Sequence, residues 1–301
     1  MELCKDMKSV HTTVLLNETI EGLNLSENFI VLDATFGGGG HSKEILDKYK
    51  SVKIIALDQD ESAWEKAKSK FKGLEKRISF INANFRDIDS LDVKKVDAVI
   101  FDLGLSSDQL ENSGRGFSFM KNEPLLMTMK ENPSLEDLTA IDIVNSWGEE
   151  NLANIIYGYG EERFSRRIAK GIVEARKKEK IASTWDLVKI IESSVPNVYR
   201  KQRLHFATKT FQALRIAVND ELGTLQTGLE KGFDILKEGG RMSVISFHSL
   251  EDRVVKIFYK EKLKEGKAKL INKKPIIPTD EEIRKNPRSR SSKLRVLEKI
   301  I

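Results

Sequence analysis

The chain of 301 residues has a single cysteine, Cys4. One thiol excludes an intramolecular disulfide and any cysteine-built metal cluster. Its four histidines, His11, His41, His205 and His248, show no ligand spacing such as H-x-x-x-H, so no metal is expected. No apolar run approaches the ~20 residues that a membrane helix needs. The opening residues, MELCKDMKSV, contain no apolar segment of the kind that marks a secretory leader. The expected compartment is the cytoplasm. Internal repeats and low-complexity tracts are also missing.

What is present is an ordinary apolar content of 40% and a high charged content of 32%. That length and composition suffice for a sizeable core in one large domain or two unequal ones. The net charge of +5 is unevenly spread. Residues 160–215 carry a net +8 and residues 255–301 a net +9, so the rest of the chain is acidic. Two basic segments on an acidic body point to a polyanionic partner, although solvated helix faces give the same pattern.

The first third alternates strand and helix signals. FIVLDATF (29–36), VKIIALD (52–58), RISFINAN (77–84) and KVDAVIFDLG (95–104) are apolar runs separated by helical spacing. Such alternation predicts a parallel, doubly wound α/β sheet covered on both faces. After about Gly104 a Ser-, Gly- and Asn-rich loop leads into some 70 residues with only helical periodicity. One long helix over 211–236 then returns to the α/β pattern, followed by a strand at 239–249. The next helix opens on a capping-box-like Ser249…Asp252 pair. LINKKPI and KLRVLEKI supply two last strands. The expected division is a discontinuous domain over 1–133 and 207–301, with a helical insert over 134–206. The helix at 211–236 is compatible with a dimer interface and equally with sheet cover.

The stretch VLDATFGGGGHS (31–42) carries the main chemical signal. A strand, a glycine loop and a helix let backbone approach a ligand closely. A dinucleotide loop would read G-x-G-x-x-G/A, and here Ser42 occupies the third position. Asp33 would also repel a pyrophosphate. S-adenosylmethionine carries a sulfonium and an ammonium, so Asp33 beside Gly37 and Gly39 favours that cationic cofactor. Asp58, at the end of the second strand, is placed for ribose hydroxyls. Phe85, after the third strand, is placed to stack on adenine or to fill the core. Asp102, at the end of the fourth, faces the region where a methyl group would be transferred.

The blocks HTTVLLNE (11–18), DATFGGGGHS (33–42), DLGLSS…Q (102–109), RGFSFM (115–120), GEERFSRRIA (160–169), TFQALRIAVNDEL (210–222), ISFHSLEDR (245–253) and NPRSRSSKLRV (286–296) occur in order. Together they resemble the RsmH (MraW) family of S-adenosylmethionine-dependent methyltransferases, which modify the N4 of a cytidine in 16S ribosomal RNA. The resemblance implies a class I methyltransferase fold, a mostly parallel seven-stranded sheet with an inserted helical domain. It implies cofactor contacts at Gly39, Gly40, His41, Asp58, Phe85, Asp102 and Gln109. The chain departs from the family pattern at Leu126, Thr128 and Lys130, which replace an acid, an arginine and an acid. It departs again at Phe206 and Lys209, which replace a proline and an arginine, and at Asp108, where a proline is usual.

Attack by an exocyclic amine needs the nitrogen held in line with the methyl carbon and an acceptor for one N–H. Asp102 is the leading candidate for that acceptor, with backbone carbonyls of the 102–106 loop as rivals. Methylation at ring carbon 5 would need a thiolate, and Cys4 is the only thiol. Expected RNA contacts are Arg163, Arg166, Arg167, His248, Arg288 and Arg290; His248 fits a structural role as well. The expected partner is 16S ribosomal RNA within the small subunit. Competing readings are methylation of another nucleic-acid or protein amine, a nicotinamide oxidoreductase, and a non-enzymatic ribosome-assembly factor.

Overall fold

The computed structural model describes residues 13–106, 109–110 and 112–301; Cys4, His11 and Asp108 lie outside them. Contacts divide the chain into two units, Met1–Ser107 with Leu225–Ile301, and Asp108–Thr224.

The first unit is built on one seven-stranded sheet in the order β3-β2-β1-β4-β5-β7-β6. Its strands are β1 (Ile30–Asp33), β2 (Lys53–Asp58), β3 (Ile78–Asn82), β4 (Val96–Asp102), β5 (Leu236–Ser246), β6 (Ala268–Leu270) and β7 (Lys293–Lys299). β1 to β5 pair in parallel, and β7 runs antiparallel between β5 and β6. The chain order reverses between β1 and β4, which makes the carboxyl ends of these two strands the crevice where ligands of open α/β sheets bind.

The strands are apolar throughout because both faces are covered. On β4, Ala98 and Ile100 pack on one face with Val31, Ile45, Leu46 and Phe71. Val99 and Phe101 pack on the other with Leu32, Leu229, Phe233 and Phe258. Side chains of period two are thus sorted between two cores. Helices Leu16–Leu23 and Gly40–Lys48 cover the first face; Glu221–Ile235 and Ser249–Lys264 cover the second. Each presents apolar residues every third or fourth position, as Leu225, Leu229 and Phe233 do.

The sequence expectations need three corrections. The helix expected over 211–236 is two, Thr208–Asn219 and Glu221–Ile235, and β5 already begins at Leu236. The break is at Asp220, whose φ of 45° is left-handed. A short acid adopts that conformation at low cost and ends the helix. Helical periodicity runs through the break because both helices bury an apolar stripe. The cap expected at Ser249…Asp252 forms one residue earlier, at His248 and Glu251. The strand expected in LINKKPI (270–276) lies earlier, at Ala268–Leu270, sharing only Leu270 with it, and Ile276 forms an isolated bridge to Leu294.

The second unit is helical, with Ala140–Ser146, Glu149–Gly158, Ser165–Arg176, Thr184–Ser194, Asn197–Arg200 and Thr208–Asn219 as its main elements. Its apolar centre includes Ile143, Leu152, Ile156, Ile168, Ile172, Leu187 and Leu214, all fully buried. The unit is wider than 134–206 at both ends. Residues 115–129 join it where the Leu125 N–H donates to the Ala182 carbonyl and the Leu126 carbonyl accepts the Ala140 N–H, and Asn219 ties its last helix back to Met127 and Met129. The departures at Leu126, Thr128, Lys130, Phe206 and Lys209 fall in this unit; Asp108 lies outside the described residues. Lys130 pairs with Asp137, the Lys209 ammonium donates to the Glu161 carbonyl at 2.8 Å, and Phe206 stacks on His205 with centroids 4.2 Å apart. Leu126 and Thr128 lie along the same inner segment, Thr128 buried. Among the described residues no helix is long and apolar enough to cross a membrane.

Candidate active site

The pairing registers bring three carboxylates to one edge of the sheet. Asp33 sits opposite Ala56 and Ile100, Asp58 ends β2 opposite Asn82, and Asp102 ends β4 opposite Ile245. All three are at the carboxyl ends of parallel strands that flank the crossover point.

The glycine loop lies over them. Gly37 and Gly39 have φ of 50° and 69°, the left-handed region that glycine enters without strain. Gly39 is also packed: a Cβ there would lie 2.7 Å from the Phe36 ring. At Gly40 a Cβ would lie 1.8 Å from Thr13 Oγ1, so this glycine, read from the family as a cofactor contact, also permits a close packing contact. The Gly37 N–H donates to Asp58 Oδ2 at 2.7 Å, which clamps the loop onto β2. The Asp60 N–H donates to the other Asp58 oxygen at 2.8 Å.

Asp33 is 2% exposed. It accepts the Ser42 hydroxyl at 2.6 Å and, more weakly, the Thr35 N–H at 3.4 Å. Ser42 thus has a defined task in the position where a dinucleotide loop would want glycine. The Asp102 backbone N–H donates to Thr35 Oγ1 at 2.6 Å, joining the ends of β1 and β4. His41 is buried in the first turn of the helix Gly40–Lys48, with Nδ1 3.8 Å from Asp102 Oδ2.

Loss of water contact pushes all three acids up: Asp33 to about 6, Asp58 to about 6 and Asp102 to about 7. Their mutual repulsion adds to this, Asp58 acting on Asp33 and Asp33 on Asp102. Among the described residues no lysine or arginine pairs with any of the three. A cluster of desolvated acids with no lysine or arginine partner among the described residues fits a cationic ligand and disfavours a pyrophosphate.

Phe85 meets Phe101 edge-on, with centroids 5.4 Å apart, and its ring fills the space above Gly228. It is only half-buried, so core packing covers one side of the ring. Gln109 belongs to the second unit, where its carbonyl accepts the Ser113 hydroxyl.

His248 is the N-cap of the helix Ser249–Lys264. Its Nδ1 accepts the Glu251 N–H at 3.4 Å, while Glu251 Oε2 accepts the N–H groups of Phe247 and His248 at 2.7 and 3.2 Å. This is the structural role that the sequence also allows for His248. A capping histidine has no sequence signature, because Ser and Asp are the usual caps.

The described family blocks thus converge on one sheet edge or on the helical unit, and the matching known proteins agree. A family description, the MraW methylase family, matches residues 8–300. The chain belongs to the MraW methylase family. The ribosomal RNA small subunit methyltransferase H of Clostridium botulinum (strain Kyoto / Type A2) is 46% identical, over 98% of this chain and all of that one. The proteins of the same name from Persephonella marina and a Sulfurihydrogenibium species are 46% and 47% identical, over 96% and 95% of this chain and 99% and 98% of theirs. The fold is that of class I methyltransferases, and the cofactor is S-adenosylmethionine.

Proposed function

We propose that this MraW-family chain methylates the exocyclic N4 amine of a cytidine in 16S ribosomal RNA, in the cytoplasm. The observation that carries the reading is the trio Asp33, Asp58 and Asp102 at adjacent strand ends under a glycine loop, with no lysine or arginine paired to them among the described residues. The names of the relatives support ribosomal RNA as substrate. We assign cofactor binding to the sheet unit and RNA recognition largely to the helical one.

When bound, S-adenosylmethionine supplies a methyl group whose carbon–sulfur bond breaks with its electron pair going to sulfur. Asp33 and Asp58 hold the negative potential that attracts this cation, and Gly37 keeps backbone out of its way. Asp102 accepts one N–H of the cytosine amine, which lets the conjugated nitrogen pyramidalise as it attacks. His41 stands beside Asp102, with Nδ1 3.8 Å from Oδ2.

RNA affinity comes from exposed cations. The Arg163 guanidinium lies over Phe164 and Tyr199, at 4.8 and 5.2 Å from the ring centroids, and Arg167 lies over Phe164 at 5.8 Å. Arg163, Arg166, Arg167 and Lys170 are all exposed along one stripe of the helical unit. Such contacts provide salt-dependent affinity and position the RNA. The positive charge of the segment 255–301 is partly spent inside the fold, because Asp252 binds Arg295 at 2.7 Å and Lys293 at 3.3 Å. Arg288 and Arg290 remain exposed.

The test is methyl transfer from labelled cofactor to purified small subunits, followed by nucleoside analysis. N4-methylcytidine is expected. Product at ring carbon 5 or on another nucleoside would overturn the assignment.

A further inference from the structure

The sheet unit carries a cleft of about 340 Å³ that the reaction described above does not use. It lies where β5 hands over to the helix Ser249–Lys264. Phe247, Ile277, Pro278 and Ile283 give it an apolar lining; Arg290 and Lys293 bring positive charge. Its size is at the small end of ligand pockets, which run from about 300 to 1,000 Å³.

Four features define what it accepts. Ile277 is 64% exposed at the rim, although water disfavours a bare isoleucine and Pro278 beside it is buried. Arg290 is exposed and has no acidic partner among the described residues, whereas Lys293 is shared with Asp252. The positive end of a helix of 16 residues opens toward the cleft. Glu251, 3% exposed, caps that end and its charge offsets part of the helix field, so Arg290 carries most of the attraction. An apolar wall beside a bare guanidinium and a helix N-terminus matches a flat apolar ring joined to a phosphate.

Its position ties it to the chemistry. The Phe247 ring lies so close to Gly104 that a Cβ there would be 2.8 Å from it. Gly104 in turn donates its N–H to Asp102 at 3.4 Å. One wall of the cleft therefore backs onto the loop that carries the proton acceptor.

We propose that this cleft holds one unpaired nucleotide of the substrate RNA, next in the strand to the methylated base, with its phosphate on Arg290 and its base against Ile277 and Phe247. This rests on the RNA-methylation reading above and specifies the substrate as a splayed single strand at the site. Unstacked bases of single strands are what such apolar pockets recognise in RNA.

The test compares Arg290→Glu and Ile277→Asp with Arg284→Glu, an exposed cation outside the cleft. Binding of a short fluorescein-labelled single-stranded RNA is measured by anisotropy over a salt series. Methyl transfer to small subunits is measured in parallel, and cofactor binding by calorimetry. Both cleft variants should weaken RNA binding and raise KM for subunits by roughly tenfold, with kcat and cofactor affinity changed less than about twofold. Arg290→Glu should also lower the slope of log affinity against log salt by about 1 or more. Equal losses from Arg284→Glu and Arg290→Glu, or a neutral Ile277→Asp, would overturn the cleft assignment while leaving RNA methylation intact. No transfer by the wild-type protein, with cleft-dependent RNA binding preserved, would overturn the methylation reading and leave the cleft standing.

Discussion

The three raised carboxylates make cofactor binding a proton-releasing event. In the free protein Asp33 and Asp58 titrate at about 6 and Asp102 at about 7. The sign follows from linkage. A group whose pKa is raised on folding favours the folded state below its ordinary value, near 3.8, and that contribution is lost as pH rises through 6 and 7. The free protein should therefore lose thermal stability from pH 5 to pH 8. A bound cation reverses this by returning the acids toward ordinary values. At pH 6 the three groups together hold about two protons, all displaced on binding. Summing the three titrations, affinity for S-adenosylmethionine should rise roughly 20-fold from pH 6 to pH 7, on the order of 2 kcal/mol. Asp102 supplies more than half of this on the logarithmic scale, so Asp102→Asn should bind more weakly and show only about a threefold rise. The assay is titration calorimetry in two buffers of different ionisation enthalpy, which counts protons directly. A flat affinity between pH 6 and 7, or proton uptake on binding, would refute the argument that uncompensated negative charge defines this site.

Ser42→Ala removes the hydroxyl that steadies the Asp33 charge, so cofactor affinity should fall more at pH 6 than at pH 7 in the same calorimetric assay. Gly40→Ala places a methyl group 1.8 Å from Thr13 Oγ1 and should cost about 1–3 kcal/mol in thermal unfolding, with partial recovery in the double variant that also carries Thr13→Ala. Tyr199→Phe deprives the fully buried Glu162 of a donor while Phe164 N–H still bonds it. The helical unit should lose roughly 1–3 kcal/mol in urea unfolding, with cofactor affinity unchanged.

The parallel sheet, the glycine loop and the acids at strand ends were legible in the residues alone. These features are local: an apolar run bounded by Asp and Gly has few ways to fold, and its register in a parallel sheet puts Asp33, Asp58 and Asp102 at one edge. The charge logic that chose a cationic cofactor needed only the identity of residue 33. What the chain could not reveal by itself depended on contacts between distant segments. The break at Asp220 lies inside an unbroken apolar stripe, and only the packing of the two helices on different cores requires it. His248 acts as a cap because Glu251 bends back onto the Phe247 and His248 amides. Arg295 is withdrawn from the basic surface by Asp252, 43 positions away. The cleft beside Arg290 draws its walls from residues 247–249, 277–283 and 290–293, which are brought together because antiparallel β7 returns alongside β5. Periodicity and charge are written residue by residue. Which charges remain free, and which faces close into a cavity, is decided by the three-dimensional neighbours that compete for them.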